Sequence, residues 1–408
     1  MNDYHVEHLK MVWQRMRCPH GDAIKRSLPV GIDGMRAENW EKNLDTYLGE
    51  IARRIHPKFS SDANFYNFGT MLMLEQRKSS AGHRTIYIPR LRDQLVLRAM
   101  HEDICRAAKE MGICLKLPAP TSFVSQFRES LTRFPEPWIF RTDIVSFYDS
   151  IPRDRVIAAA EILPISERTR RLLHQWSTNC RARRTGRIHA SGDQKVNGLP
   201  TGLSISSSLS ELWAHEIDRQ IDTQWSYFRY VDDIAVVCGS RAEAEAVQAQ
   251  VEKIVHQFGL ALSDKKTEIS CLTNGVTWLG LNHEAHRFTM DPERVERWLR
   301  QFSRLRKETS KLLREVDSDS DQEQIVREYH KQLQDEICGR TSYRPAWYAM
   351  ADESGEWRAM DRMIHSMIRS IHRQAGMEPP SGKRLPSLHR AMLARKKRQT
   401  ISAPSKAE

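Results

Sequence analysis

The sequence predicts an α+β fold, in which strands of an antiparallel sheet are combined with helices and followed by a helical module. Residues 228–237 are typical of strand, tight turn and strand, because aromatic and β-branched residues flank two adjacent aspartates. A buried strand is expected from Trp138, where an apolar run leads to Asp143. From Asp291 onward, apolar residues recur at helical spacing. An α+β fold is expected because the strands are not regularly alternated with helices, and helices follow them as a separate group.

Composition excludes several kinds of protein. The chain has 408 residues, of which 40% are hydrophobic and 28% charged, which allows two or three globular domains. No apolar run approaches the ~20 residues of a membrane span, and residues 1–5 do not begin a signal peptide. The seven cysteines include no CxxC pair, which argues against zinc and for a reducing compartment. We therefore expect a cytoplasmic protein with no membrane partner.

The charge of the chain points to a polyanion. The net charge is +11 at pH 7, and nucleic acid is the commonest partner of so basic a protein, although a generally basic surface is the alternative. Residues 381–400 contain no acidic residue, and they are either a nucleic-acid contact or a disordered tail. The cations of this segment are Lys383, Arg384, Arg390, Arg395, Lys396, Lys397 and Arg398.

Residues 69–98 carry cations interleaved with the strand-like stretch 85–89, between a helix expected over 38–55 and helices expected over 93–134. Arginines and lysines on a β-ribbon can bind a triphosphate, because each cation contacts a separate phosphate oxygen. A solvated basic face is the alternative. The cations concerned are Lys78, Arg84, Arg90, Arg92 and Arg98.

Helices are expected over 153–190, ending in a basic loop at 181–187, and a loop rich in Gly, Pro and Ser that runs into a helix is expected over 197–212. Such a loop running into a helix can bring the backbone close to a ligand. An amphipathic helix is expected over 241–258, strand and turn over 260–267 and 276–281, and three helices over 292–316, 321–337 and 354–375. The Met-containing stripe of the last helix is expected to be core.

Three carboxylates follow strands: Asp143 after the first, and Asp232 and Asp233 at the tip of the hairpin. A salt-bridged core acid and an exposed acidic turn are the structural alternatives. If the strands are neighbours in one sheet, the three acids converge, and they can then hold two Mg²⁺ ions for phosphoryl transfer.

The segments in this order resemble a reverse transcriptase of the prokaryotic, group II intron-like lineage, over about residues 25–285. Residues 30–35 resemble the family's GxDG element, 83–93 the fingers motif, and 143–148 the first catalytic motif. Tyr230 to Asp233 is similar to the YxDD box, and Trp278 to Gly280 to the primer grip. The resemblance implies a right-hand polymerase with fingers, an antiparallel palm and a helical thumb.

The same resemblance implies roles for individual residues. Asp143, Asp232 and Asp233 would be catalytic, and with Ile144 they would bind two Mg²⁺ ions. Tyr148 would be the steric gate that rejects a ribose 2′ hydroxyl, and Lys266 a proton donor to pyrophosphate. Further nucleotide contacts are implied for Lys78, Arg84 and Gly202, and primer or template contacts for Trp278 and Gly280.

The domain boundaries that the resemblance implies are 1–135 for the N-terminal extension and fingers, 136–288 for the palm, with a fingers insertion around 153–200, 289–380 for the thumb and 381–408 for the basic tail. No HNH endonuclease, aspartic protease or RNase H motif is visible in the sequence.

One motif departs from common reverse transcriptases, which have PQG where this chain has Pro200-Thr201-Gly202. With the Ser-x-x-Leu-Ser-Glu that follows, it resembles abortive-infection and defence-associated enzymes. The resemblance implies bacterial antiphage defence, with a dedicated non-coding RNA template, a DNA product and deoxynucleoside triphosphates as partners; a second reverse transcriptase or a homo-oligomer stays open. Template-independent or protein-primed synthesis, a retron-type enzyme, and a non-catalytic RNA-binding scaffold are the alternatives.

Overall fold

The computed structural model describes residues 4–18, 27–56, 65–77, 83–115, 117, 120–184, 192–221, 225–284, 287–338, 355–380 and 387. The chain forms two compact units, each assembled from three separate segments. The first unit contains Met1–Leu117, Thr142–Thr223 and Ala249–Thr267, and the second Pro118–Arg141, Gln224–Gln248 and Glu268–Glu408.

The N-terminal elements are helices around a β-hairpin. The helix predicted over 38–55 is divided, because Asn43 leaves the helical backbone (φ −129°) and a new helix starts at Leu44. The elements up to residue 131 are α1 (Val6–Arg17), α2 (Ala37–Glu41), α3 (Leu44–Ile55), β1 (Met71–Arg77), β2 (His83–Ile88), α4 (Leu91–Glu110) and α5 (Pro120–Leu131).

The middle of the chain contains one strand where a loop was predicted. Residues 181–184 pair in parallel with β1 and bury Ala182, so the predicted basic loop is wrong over these residues. Arg183 is paired with Asp193 and Arg184 with Glu75, which offsets the charge of this strand. The elements here are β3 (Trp138–Asp143), α6 (Phe147–Ser150), α7 (Arg153–Ile162), α8 (Glu167–Thr178), β4 (Arg181–Arg184), β5 (Gln194–Lys195) and α9 (Ser204–Asp218).

The predicted strand–turn–strand at 228–237 is present as an antiparallel hairpin. The strand predicted at 276–281 is also present, although it ends at Trp278. The elements are β6 (Ser226–Tyr230), β7 (Asp233–Cys238), α10 (Arg241–Gln257), β8 (Glu268–Cys271), a 3₁₀ turn (Leu272–Asn274), β9 (Val276–Trp278), β10 (Leu281–Glu284) and β11 (Arg287–Met290).

Three helices close the described chain: α11 (Pro292–Leu312), α12 (Asp319–Cys338) and α13 (Gly355–Gln374). Asp291 caps α11 by accepting a hydrogen bond from the Glu293 amide, and a proline stands at the start of that helix. The stripe of α13 is core, as predicted, at Met360, Ile364, Ile368 and Ile371, whereas Met363 is 45% exposed. Among the described residues, no helix is both long enough and apolar enough to span a membrane.

The strands form three sheets, with orders β2-β1-β4-β5, β6-β7-β3-β8 and β11-β10-β9. In the second sheet, the central strand β3 has β7 on one side and β8 on the other. Most of β3, residues 138–141, belongs to the second unit, as do β6, β7 and β8. This order supports the expectation that the hairpin and the strand leading to Asp143 are neighbours.

The core of the second unit is aromatic where the second and third sheets meet α5. The ring of Phe127 lies 4.6 Å from that of Trp278 and 5.6 Å from that of Phe228. His283 is fully buried among them, 4.9 Å from the Phe127 ring. Its Nε2 lies 3.3 Å from the carbonyl oxygen of Trp278, to which it donates. A histidine therefore occupies a position that the strand pattern would give to an apolar residue.

Burial of His283 makes stability depend on pH. Burial lowers the pKa of this histidine to about 4, so the folded protein holds the ring neutral while the unfolded chain protonates it near 6.5. The unfolded state thus binds more protons between these values, and stability is lost as pH falls from 6.5 toward 4. We expect protonation of this residue in the unfolded chain to lower the free energy of unfolding by about 2–3 kcal/mol between pH 7 and 4.5.

The measurement is urea unfolding of wild type and His283→Gln at both pH values. Glutamine retains a donor for the Trp278 carbonyl but cannot titrate, so the variant should lose less stability on acidification. Burial also lowers the pKa of His101 to about 4. His101→Gln should therefore remove the part of the stability loss on acidification that His101 causes. An equal loss in wild type and His283→Gln would contradict the assignment.

Candidate active site

The two adjacent aspartates lie at the tip of the β6–β7 hairpin. Tyr230 pairs with Asp233, so Val231 and Asp232 are the two residues of the turn. Val231 has φ +61°, which is the first central position of a type II′ turn and normally a glycine. A β-branched residue there costs on the order of 1–3 kcal/mol. The buried guanidinium of Arg229 donates a 3.0 Å hydrogen bond to the Val231 carbonyl, which helps to hold the strained turn.

A cation lies beside the second aspartate. Nε of Arg141, on β3, is 3.7 Å from Oδ1 of Asp233 on β7. Nη1 of the same arginine is 3.7 Å from Oε1 of Glu268 on β8. About a quarter of the Arg141 and Asp233 side chains is exposed, so water screens this pair only in part. Positive charge therefore offsets the repulsion between the two neighbouring carboxylates.

The third predicted acid, Asp143, ends β3 in the first unit. Nζ of Lys266 lies 2.5 Å from its Oδ2. The backbone carbonyl of Asp143 accepts a 2.8 Å hydrogen bond from the Ser263 amide, and Ile144 forms an isolated bridge with Leu262. The predicted strand over 260–267 is thus reduced to this bridge and a turn. Its backbone contacts bring Lys266, the predicted proton donor, to residues 143–148, the predicted first catalytic motif.

The loop after residue 197, for which a close approach to a ligand is predicted, lies against the backbone of Tyr148 and Asp149. The Leu199 amide donates to the Tyr148 carbonyl at 2.8 Å. Gly198 has φ +59°, and a Cβ there would lie 2.5 Å from the Tyr148 carbonyl oxygen and closer still to that of Asp149. Only glycine satisfies both requirements. The loop is thereby fixed against the residue predicted to gate the sugar.

A buried arginine that the sequence pattern does not reveal anchors this loop. Arg153 donates from Nε to the Gly198 carbonyl at 2.8 Å, from Nη2 to that of Val196, and from Nη1 to that of Ser177 at 3.3 Å. Its guanidinium also lies over the Trp176 ring, 5.6 Å from the centroid. An arginine in the first turn of a helix looks like a solvated cation in sequence, so no local signal identifies this role.

The Pro-Thr-Gly motif lies against β2. The Tyr87 amide donates to the Thr201 carbonyl at 2.9 Å. Gly202 has φ +106°, and a Cβ would be 3.1 Å from both Ile86 Cγ2 and the Tyr87 carbonyl oxygen. Arg84 is exposed on the same strand. The first unit therefore brings together two of the predicted nucleotide-binding elements, Gly202 and the strand that carries Arg84.

Other residues of the predicted fingers motif are structural. Asp93 is buried and accepts hydrogen bonds from the Tyr66 hydroxyl (2.5 Å), the Gly69 amide (3.0 Å) and Arg92 Nε (3.2 Å). Burial raises the pKa of Asp93, against the charge of Arg92 and the other donors. This pair thus anchors the start of α4. Lys78, predicted to bind the triphosphate, lies outside the described residues.

The predicted primer grip is a tight turn between β9 and β10. Leu279 and Gly280 both have positive φ (+50° and +76°), as in a type I′ turn. Trp278 is fully buried in the aromatic core, so its side chain packs rather than contacting nucleic acid. The Arg294 side chain lies against Gly280. A primer contact from this turn would therefore come from the Gly280 backbone or from its neighbours.

The chemistry of the predicted ligands suits a divalent metal. Carboxylate oxygens and the Ile144 carbonyl are hard donors of the kind that Mg²⁺ prefers. Lysine and arginine lie beside Asp143 and Asp233, where positive charge is required. Across the described residues, however, no group of three or more His, Cys, Asp or Glu side chains is placed to hold a metal. Convergence of the three acids on one metal pair stays a prediction.

Comparison with known proteins gives a family. The family described as "Reverse transcriptase (RNA-dependent DNA polymerase)" matches residues 77–283, just over half of the 408 residues. No curated protein matches the chain. A solved structure titled "Structure of apo telomerase from Candida Tropicalis truncated from C-terminal domain" is 14% identical, with a TM-score of 0.42. The match covers 55% of this chain and 55% of that one, and a similarity this low supports no functional argument.

Proposed function

Because the chain belongs to the reverse transcriptase (RNA-dependent DNA polymerase) family, we propose that it is an RNA-directed DNA polymerase. It would extend a primer with deoxynucleotides, using RNA as the template. The observation that carries the proposal is the strained hairpin tip, where Asp232 occupies the turn and Asp233 begins β7. The sheet order, with β7 beside the strand that leads to Asp143, supports a joint role for the three acids.

In this proposal, Asp143, Asp232, Asp233 and the carbonyl of Ile144 would hold two Mg²⁺ ions. The ions would supply positive charge for the triphosphate and for activation of the 3′ hydroxyl of the primer. Lys266 Nζ, now 2.5 Å from the Asp143 carboxylate, carries a proton that pyrophosphate can accept as it leaves. Arg84, together with Lys78, binds the triphosphate through charge-assisted hydrogen bonds.

The proposed architecture is a right hand. Residues 1–135 would supply the N-terminal extension and fingers, 136–288 the palm with an insertion around 153–200, 289–380 the thumb and 381–408 a basic tail. The antiparallel hairpin and the three helices α11, α12 and α13 are the elements that support palm and thumb.

Tyr148 is expected to control the sugar. Replacement by alanine opens the space that a 2′ hydroxyl would need, so ribonucleotide use should rise by about 10–100-fold relative to deoxynucleotide use. The measurement is the ratio of kcat/KM for matched ribo- and deoxynucleoside triphosphates. Tyr148→Phe keeps the ring and is the control, with a ratio near that of wild type. An unchanged ratio in Tyr148→Ala would show that another residue selects the sugar.

We further propose that the enzyme acts in the bacterial cytoplasm, in antiphage defence, and copies a dedicated non-coding RNA. The resemblance of the Pro-Thr-Gly motif and the following serine-rich segment to defence-associated enzymes supports this. The same motif favours the second candidate, template-independent or protein-primed synthesis, because Thr201 stands where a glutamine normally helps to position template and nucleotide.

Sequencing the DNA product tests these proposals. Purified protein is incubated with deoxynucleotides and Mg²⁺, with and without the RNA that copurifies with it. A product complementary to that RNA is expected. Synthesis without RNA, as a homopolymer or random sequence, would overturn templating and support the second candidate. DNA linked to a protein side chain indicates protein priming, and a branched RNA–DNA product a retron-type enzyme. No Mg²⁺-dependent synthesis at all would favour a non-catalytic scaffold.

A further inference from the structure

One arginine connects three strands of the second sheet. Arg141 lies on β3, the central strand, two residues before its end. It is in register with Glu268 on β8, on one side. On the other side its guanidinium reaches Asp233, the first residue of β7. Both ion-pair distances, to Glu268 and to Asp233, are 3.7 Å.

Strand geometry places Arg141 on the same face of β3 as Asp143. Successive side chains of a strand point to opposite faces, so Arg141 and Asp143 share a face and Thr142 points away from it. Thr142 is indeed fully buried. Arg141 is thus a cation on the same face of β3 as Asp143, and it forms an ion pair with Asp233.

The two acids that Arg141 contacts differ in exposure. The Glu268 side chain is 46% exposed and that of Asp233 is 23% exposed. Water therefore screens the contact with Glu268 more than the contact with Asp233. The Glu268 carboxylate on β8 and the Asp233 carboxylate on β7 both attract the guanidinium. The position of the arginine therefore depends on both carboxylates. Changing either acid should shift the arginine toward the other.

We propose that Arg141 is a positioning residue that holds the Asp233 carboxylate and, by competing with Mg²⁺ for it, sets the Mg²⁺ concentration that the enzyme requires. The expected effect on kcat rests on the proposed polymerase function, whereas the expected effect on Mg²⁺ binding does not. Glu268 moderates the competition by sharing the guanidinium. At 3.7 Å the contact is an ion pair and not a hydrogen bond, so the arginine acts on the Asp233 carboxylate through its charge.

The proposal predicts opposite shifts for two variants. Arg141→Gln removes the competing cation, so Mg²⁺ should bind about 3–10-fold more tightly, while kcat falls because Asp233 loses its support. Glu268→Gln removes the second carboxylate that attracts Arg141, so the ion pair between Arg141 and Asp233 should strengthen. Mg²⁺ should then bind several-fold more weakly. Arg141→Lys retains the charge, and should keep the Mg²⁺ affinity near wild type.

Two readouts separate this inference from the proposed function. Mg²⁺ affinity is measured calorimetrically on the full chain without nucleotide, and the Mg²⁺ dependence of kcat is measured in the polymerase assay. Arg219→Gln, which removes an exposed arginine paired with Glu216 at the end of α9, is the matched control for charge and should change neither. If the Arg141→Gln chain does not fold, the Mg²⁺ affinities of Arg141→Lys and Glu268→Gln still test whether Arg141 competes with Mg²⁺ for Asp233.

Mg²⁺ affinities and kcat values equal to wild type in Arg141→Gln or Glu268→Gln would overturn the inference, even if the wild type polymerises DNA. Shifts of the same sign in both variants would also overturn it. A wild type that binds Mg²⁺ with these opposite shifts but incorporates no nucleotide would instead overturn the proposed function and leave the competition established.

Discussion

Replacement of Asp232 by asparagine is expected to lower the rate of nucleotide incorporation by at least about 10³-fold, which corresponds to about 4 kcal/mol of transition-state stabilisation. Asparagine has nearly the same shape, so it should preserve the two-residue turn. It removes the negative charge that the proposed Mg²⁺ ions require. Because phosphoryl transfer depends mainly on positioning and charge neutralisation, the loss should appear in kcat rather than in stability.

The measurement is single-nucleotide incorporation on a primed RNA, with thermal unfolding as the check on folding. Asp143→Asn and Asp233→Asn should have losses of similar size. Asp154→Asn, an exposed acid in the first turn of α7, is the matched control and should retain wild-type activity. Incorporation within tenfold of wild type in Asp232→Asn would remove the basis of the polymerase assignment.

The second large effect is expected for Gly198→Ala. The new methyl group would contact the carbonyl oxygens of Tyr148 and Asp149, and both belong to the backbone, which cannot move aside as a flexible side chain can. The positive φ adds a penalty of about 1–2 kcal/mol. Together with an overpacking cost of about 1–3 kcal/mol, the variant should lose about 2–5 kcal/mol of unfolding free energy. Activity should fall as well, because the loop contacts the predicted sugar gate.

The chain offers a matched control for this substitution. Gly259 also has a positive φ (+73°), but a Cβ there would have no atom within 4 Å. Gly259→Ala should therefore report the backbone penalty alone, about 1–2 kcal/mol. Urea unfolding of the two variants and of wild type gives the comparison. Equal losses for Gly198→Ala and Gly259→Ala would mean that the close approach of the two backbones adds nothing.

The β6–β7 hairpin and the strand β3 could be predicted from sequence because their signals are local. Aromatic and β-branched residues mark β6 and β7, and the paired acids mark the turn between them. The strand β4 could not be found in this way. It consists of three arginines and an alanine, and its charge is offset by Asp193, ten residues further along the chain, and by Glu75, on the distant strand β1.

The strand β10 was hidden for a different reason. Its alternating pattern contains His283 at a buried position, where a sequence pattern expects an apolar residue. Trp278 illustrates the converse limit. An aromatic residue at a predicted contact site can face the ligand or the core, and only the packing against Phe127 decides that it faces the core. The roles of Arg141 and Arg153 depend likewise on long-range contacts.

The interleaved segments of the two units have a consequence for synthesis of the chain. The first unit needs residues up to Thr267, and the second begins within the first 141 residues but needs those after Glu268. Neither unit can therefore be completed on the ribosome before residue 267 has emerged. Because domains usually fold as they are made, nascent chains shorter than this would expose incomplete cores, and chaperones that recognise such surfaces should associate with them during translation.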